Sequence, residues 1–137
     1  MKISQKLDYA CRAAVCLAKH YDRSSVVKLE DISRREDIPS SFLVQILNEL
    51  KRAGIVSSKR GKAGGYALNQ PPGAISLCDL VRAVEPGLLT VPTEGKGTSG
   101  PAVSRVWKQL SGRIEERLAE ITLEAIANDA AAPMYHI

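Results

Sequence analysis

The chain has 137 residues, 45% of them hydrophobic but only 4% aromatic, and a formal net charge of +4. That length suits one compact domain with an accessory segment, and an aliphatic, aromatic-poor composition predicts a core of packed helices rather than a sheet sandwich. Three cysteines (Cys11, Cys16, Cys78) make no paired framework, no apolar run nears the roughly 18 residues of a membrane span, and the N-terminus lacks a signal-peptide pattern. A cytoplasmic protein with no membrane partner is expected, and the positive charge suits a polyanion.

In chain order, residues 4 to 20 or 21 predict a first helix. Leu7, Ala10, Cys11, Ala14, Val15 and Ala18 form its apolar stripe, with Leu17 at the edge and Lys6, Asp8, Arg12 and Lys19 mostly outside. After a polar break at 22–25, Val26 and Val27 are a short strand or an extended lead-in. Residues 28–36 read as a short helix with Leu29 and Ile32 inward, Asp37 as a turn, and Ile38 as a core plug. Pro39 and Ser40 then open a third helix, Ser40 as its N-cap. Phe42, Leu43, Ile46, Leu47 and Leu50 share its apolar face, leaving Ser41, Gln45, Asn48 and Glu49 off it. Lys51 and Arg52 followed by Gly54 form a helix stop. Residues 55–58 and 66–68 predict two strands, joined by a loop in which Lys59, Arg60 and Lys62 sit among Gly61, Gly64 and Gly65.

Residues 70–74 are a Pro-Gly break. Ser76 caps a further helix with Leu77, Leu80, Val81 and Val84 inward and Cys78 as a core or boundary residue; Pro86 and Gly87 end it. Residues 87–100 read as a flexible loop, and Pro101 starts a long helix. In that helix Val103, Trp107, Leu110, Ile114, Leu118 and Ile121 recur at steps of four, three, four, four and three. This heptad-like seam predicts a dimer interface with a second copy, in preference to packing on its own domain. Arg113, Glu115, Glu116, Arg117 and Glu120 form its charged flank. Thr122 caps a short last turn at 123–127, and 128–137 is a frayed tail.

Two short helices across a tight turn, followed by a basic hairpin, define a winged helix-turn-helix. The fold class is thus mainly α, with a small β-wing and a long C-terminal dimerisation helix. Its divisions are a DNA-binding domain at 1–86, a sensor-region loop at 87–100, the dimerisation and terminal helices at 101–127, and the tail. Double-stranded DNA is the expected partner. Ser40 and Ser41 can donate to phosphates or bases, against plain capping; Gln45 can pair with an adenine edge, against a solvated amide. Val44 either meets a thymine methyl or packs locally. Arg60 suits a narrow minor groove, against a solvated hairpin charge. Lys59, Gly61, Lys62, Gly64, Gly65 and Tyr66 complete the expected contact set, the glycines by letting backbone approach phosphate. An enzyme is not expected, because His20 and His136 lie far apart in sequence and no nucleophile–base or metal-ligand spacing occurs.

The stretch KRAGIVSSKRGKAGGYAL resembles the wing signature of the Rrf-two family of bacterial winged-helix regulators, with LDYACRAAVCLA and RLAEITLEAI in support. The resemblance covers residue 1 to about 84 and about 101 to 127. It implies a homodimer, formed by the long C-terminal helices, that reads a near-palindromic operator; a repressor is the expected function, though the sequence does not give the sign of regulation. Ser41, Gln45 and Arg60 match family positions used in groove contacts, whereas Val44 departs from members with an acidic base-reading residue. Cluster-binding members carry three cysteines before and at the start of the long helix; here 88–106 contains none, so no iron–sulfur cofactor is expected. Asp8 matches an oxygen ligand of some relatives, but a solvated or ion-paired carboxylate is the ordinary reading. Cys11 and Cys16 are about 500° apart around a helix and do not form a chelating pair. The signal stays open between a small-molecule or protein effector near the 87–100 loop and a thiol redox event at Cys11, Cys16 or Cys78. A helical interaction module without DNA function is a further alternative, which the basic wing opposes.

Overall fold

The computed structural model describes residues 2–22, 24–91 and 95–130. Its first helix, α1 (Gln5–Lys19), starts where the Ser4 hydroxyl accepts from the Leu7 amide at 3.1 Å. The predicted stripe is too narrow, because Tyr9, Ala13 and Cys16 are buried as well. The cause is composition: four alanines, Ala10, Ala13, Ala14 and Ala18, let neighbours approach α1 from several sides. It becomes the central post, touching α2 (Leu29–Glu36), α3 (Ser40–Arg52), α4 (Leu77–Val84), α6 (Leu123–Ala130) and strand β2 (Gly65–Leu68).

Between α2 and α3, Asp37 turns the chain at φ 53°, and Ile38 drops into the core. The N-cap of α3 is Pro39, not Ser40, and it makes no side-chain cap bond. Ser40 begins the helix instead, its hydroxyl reaching Ser33 Oγ at 3.3 Å. Leu43, Ile46, Leu47 and Leu50 are buried, but Phe42 is 50% exposed. One residue is about 100° of helix, which swings Phe42 onto the flank, its ring 6.3 Å from that of Tyr9. Helix α3 ends in a Schellman turn, with Ile55 N–H donating to Leu50 O (2.9 Å), Gly54 N–H to Lys51 O (3.0 Å), and Gly54 at φ 80°.

Strands β1 (Val56–Lys59) and β2 pair antiparallel from Val56 opposite Leu68 to Lys59 opposite Gly65. Lys59 therefore closes a strand rather than lying in the loop. Val27 adds a bridge on the far side of β2, exchanging both backbone bonds with Tyr66 at 2.8 Å. A 3-10 turn (Pro72–Ala74) leads to α4, which opens with a capping box between Ser76 and Asp79. The expected loop is partly structured: Pro86–Leu89 is a 3-10 turn, and Leu88 packs on the core. The rest of the predicted 87–100 loop includes residues 92–94, which lie outside the described residues.

Helix α5 (Gly100–Glu120) begins one residue earlier than predicted. Ser111 Oγ donates to Leu89 O at 2.8 Å, and Arg82 pairs with Glu115. At its far end, Leu77 N–H donates to Ile121 O (2.8 Å) and Leu123 N–H to Ile75 O (2.9 Å), pinning α5 to α4. The Thr122 hydroxyl accepts from Ala125 N–H, and α6 runs on to Ala130, past the expected 123–127 turn. Residues 131–137 of the predicted tail lie outside the described residues.

The predicted seam divides. Val103, Trp107 and Leu110 are 52%, 52% and 49% exposed, joined by Val106 at 53%. Ile114 and Ile121 are half-buried, and Leu118 packs against the chain's own core. The reason is rotational. Ser104, Ser111, Glu115 and Leu118, which face the domain, are centred roughly a quarter turn from Val103, Trp107 and Leu110. One face of α5 holds its own domain while the upper seam, roughly a quarter turn round the helix, is left uncovered.

Candidate nucleic-acid interface

The buried Leu43, Ile46, Leu47 and Leu50 fix which side of α3 faces outward. Ser41, Gln45, Asn48 and Arg52 are all exposed, and their spacings of four, three and four set them in one line. Asn48 and Arg52 extend the predicted contact set; the steps from Gln45 were the available signal. Ser40 is exposed at the start of α3, and Val44, 39% exposed, sits to one side of the line.

The wing is fastened to this helix at both ends of their junction. Lys51 Nζ donates to Ser58 Oγ at 2.7 Å. Asn69 Nδ2 donates to Gly54 O at 2.8 Å and to Val56 O at 3.2 Å, bracing the turn against the first strand. Lys59, Arg60, Gly61 and Lys62 are exposed around the tip, where Gly61 adopts φ 100°. Gly64 is required for a different reason: a Cβ there would lie 2.1 Å from the Lys59 carbonyl oxygen. Gly65 is equally confined, its Cβ position 2.5 Å from Val27 O. Tyr66 is half-buried, its ring against the core and its backbone bonded to Val27. The hairpin carries cations on a tip whose backbone is set by glycine.

The thiols lie away from this surface. Burial, and secondarily the Asp8 carboxylate, pushes the Cys11 thiol up to about 11; burial and then Glu36 raise that of Cys16. Cys78 is buried on α4. Asp8 itself is ion-paired with Arg12 at 3.1 Å, one turn along α1.

A buried-backed helix with an exposed polar line, braced to a cationic hairpin, is the reading head of a winged helix-turn-helix DNA-binding protein. The chain belongs to the Rrf2 family, whose pattern, described as an iron-dependent transcriptional regulator, matches residues 3–129. It is 38% identical over 135 residues to the Mycobacterium tuberculosis protein Rv1287, covering 95% of this chain and 83% of that one. It is 35% identical to the HTH-type transcriptional regulator IscR of Vibrio vulnificus, covering 94% and 79%. The structure of CymR, the global cysteine regulator of B. subtilis, superposes with a TM-score of 0.82 at 30% identity, covering 94% and 98%. The protein is a DNA-binding transcriptional regulator, not an enzyme. No helix among the described residues is long and apolar enough to cross a membrane.

Proposed function

We propose that this regulator works in the cytoplasm as a homodimer on a near-palindromic operator. Each copy sets the Ser41–Gln45–Asn48–Arg52 line of α3 in a major groove and Arg60 in the minor groove beside it. The observation that carries the two-fold reading is the upper seam of α5. Val103, Val106, Trp107 and Leu110 are each about half exposed in the single chain, on a helix whose other face is already engaged. A second α5 is the occupant that a heptad spacing fits.

Titrating the full chain against a duplex from its own promoter at several salt concentrations tests the DNA half of this reading. Affinity should fall steeply with salt as phosphate contacts release counterions. Arg60→Ala should weaken binding about tenfold. Salt-insensitive binding, or an Arg60→Ala protein with unchanged affinity, would contradict the assigned roles.

The donor set does not fit a thiolate-held iron cluster. Residues 88–106 contain no cysteine, and the three thiols sit on α1 and α4. Among the described residues, no three His, Cys, Asp or Glu side chains group as metal ligands. We therefore read the chain as a family member that senses something other than iron through a cluster. Anaerobically purified protein should show no cysteine-dependent absorption in the visible; such a band, lost on replacing the cysteines, would reverse this reading.

A further inference from the structure

Between the start of α2 and the wing lies an open groove of about 460 Å³, bordered by Lys28, Lys59, Arg60 and Lys62. Among the described residues, no carboxylate oxygen lies within 4.0 Å of any of these four cationic groups. The groove has one acidic neighbour, Glu30. Its two walls are held together by backbone: Val27 and Tyr66 exchange both hydrogen bonds at 2.8 Å. The antiparallel bridge carries the next residue, Lys28, alongside Gly65 toward the wing tip. Lys28 N stands 3.1 Å from where a Gly65 Cβ would be, so the absence of a side chain there lets the two segments meet.

From this geometry we infer that the groove is a phosphodiester-binding cleft, with Lys28 as its cation from outside the wing. The inference rests on the DNA-binding reading and extends it to a contact that reads no base. A sugar-phosphate strand separates a major groove from the neighbouring minor groove. A wing in the minor groove has such a strand on either side, and a cleft lined by the start of α2 and by the wing, with no α3 residue, opens toward the strand beside the wing. Lys28 on one wall and Lys59 and Lys62 on the other, none with a carboxylate partner among the described residues, bring positive charge to a groove whose backbone is held by main-chain bonds, which is what a phosphate requires. Such a contact positions the protein without specifying sequence. Lys28 is therefore a register-setting residue, whereas Gln45 and Asn48 are candidates for reading bases.

The test is fluorescence-anisotropy titration of the full-length protein and its Lys28→Ala and Lys28→Arg variants, on the chain's own promoter duplex and on a scrambled duplex, across a salt series. Lys28→Ala should weaken binding by about three- to tenfold on both duplexes alike and reduce the slope of log K against log salt by about 0.9, the value of one phosphate contact. Lys28→Arg should bind like the parent, and thermal melting should show both variants folded. An unchanged slope and affinity in Lys28→Ala, with Arg60→Ala still impaired, overturns the cleft and leaves the DNA reading standing. A loss confined to the promoter duplex also overturns it, since that outcome is base reading. Salt-independent binding by the parent protein overturns both.

Discussion

If α5 pairs two copies, replacing Leu110 by glutamate should leave the protein monomeric and reduce affinity for a two-half-site operator by about a hundredfold or more. Leu110 is the last residue of the exposed upper seam, one turn after Trp107, and is 49% exposed in the single chain. A carboxylate there costs the isolated fold little, because solvent already reaches the site. Buried against its own symmetry mate it would oppose a second carboxylate in an apolar strip, a desolvation and repulsion that association cannot offset. Two half-sites held by linked copies gain avidity of about 10²–10⁴ over separate binding, and the variant forfeits it. Sedimentation velocity reads the first consequence and anisotropy on whole-site and half-site duplexes the second. A variant that sediments as a dimer and binds like the parent would remove the upper seam from the interface.

Gly65→Ala should disable the wing. The added methyl would sit 2.5 Å from Val27 O and 2.7 Å from Val27 C, both backbone atoms, so no side chain can swing aside to admit it. The Val27–Tyr66 bridge must open, with loss of two hydrogen bonds and displacement of the wing from α2. Overpacking of this kind costs about 1–3 kcal/mol. DNA affinity should fall at least as far as in Arg60→Ala, because all the wing cations move together. Gly87→Ala is the matched control: nothing lies within 4 Å of its Cβ position, and its backbone is not left-handed. Melting temperature and affinity should drop for the first and hold for the second. Equal behaviour of the two would show that the bridge does not position the wing.

What the sequence disclosed and what it withheld divide along physical lines. Ser4, Asp37, the Lys51–Gly54 stop, Ser76 and Thr122 act on backbone within a few residues of themselves, and each does in the structure what its local chemistry dictates. The wing was legible for the same reason, since Gly61 and Gly64 answer to a tight turn. The boundary at Ser40 slipped by one because Pro39 takes the cap position. Features set by distant neighbours were hidden. Periodicity grouped Phe42 with the α3 core residues, but which flank is covered depends on how α1 leans against it. The six-residue seam reads as continuous, yet α4 and the Leu77–Ile121 tie capture its lower part. Lys28 carries no sequence signal at all; it matters because Gly65, well over thirty positions later, draws the wing beside it.

The attachment of α5 has a mechanical consequence. The helix is clamped at its C-terminal root by the Ile75–Leu123 and Leu77–Ile121 bonds, while the apolar residues that stand clear are nearer its other end. It is a lever about 30 Å long with its fulcrum built into the DNA-reading domain. A tilt of about 5° at the root would carry the far end through about 2–3 Å on that length. In a two-fold assembly the motion is felt in reverse: joined tips would swing the two reading heads apart or together, detuning them from half-sites whose separation DNA fixes. The Arg82–Glu115 pair and the Ser111–Leu89 bond, side-chain ties along the shaft among the described residues, are the struts that set its resting angle.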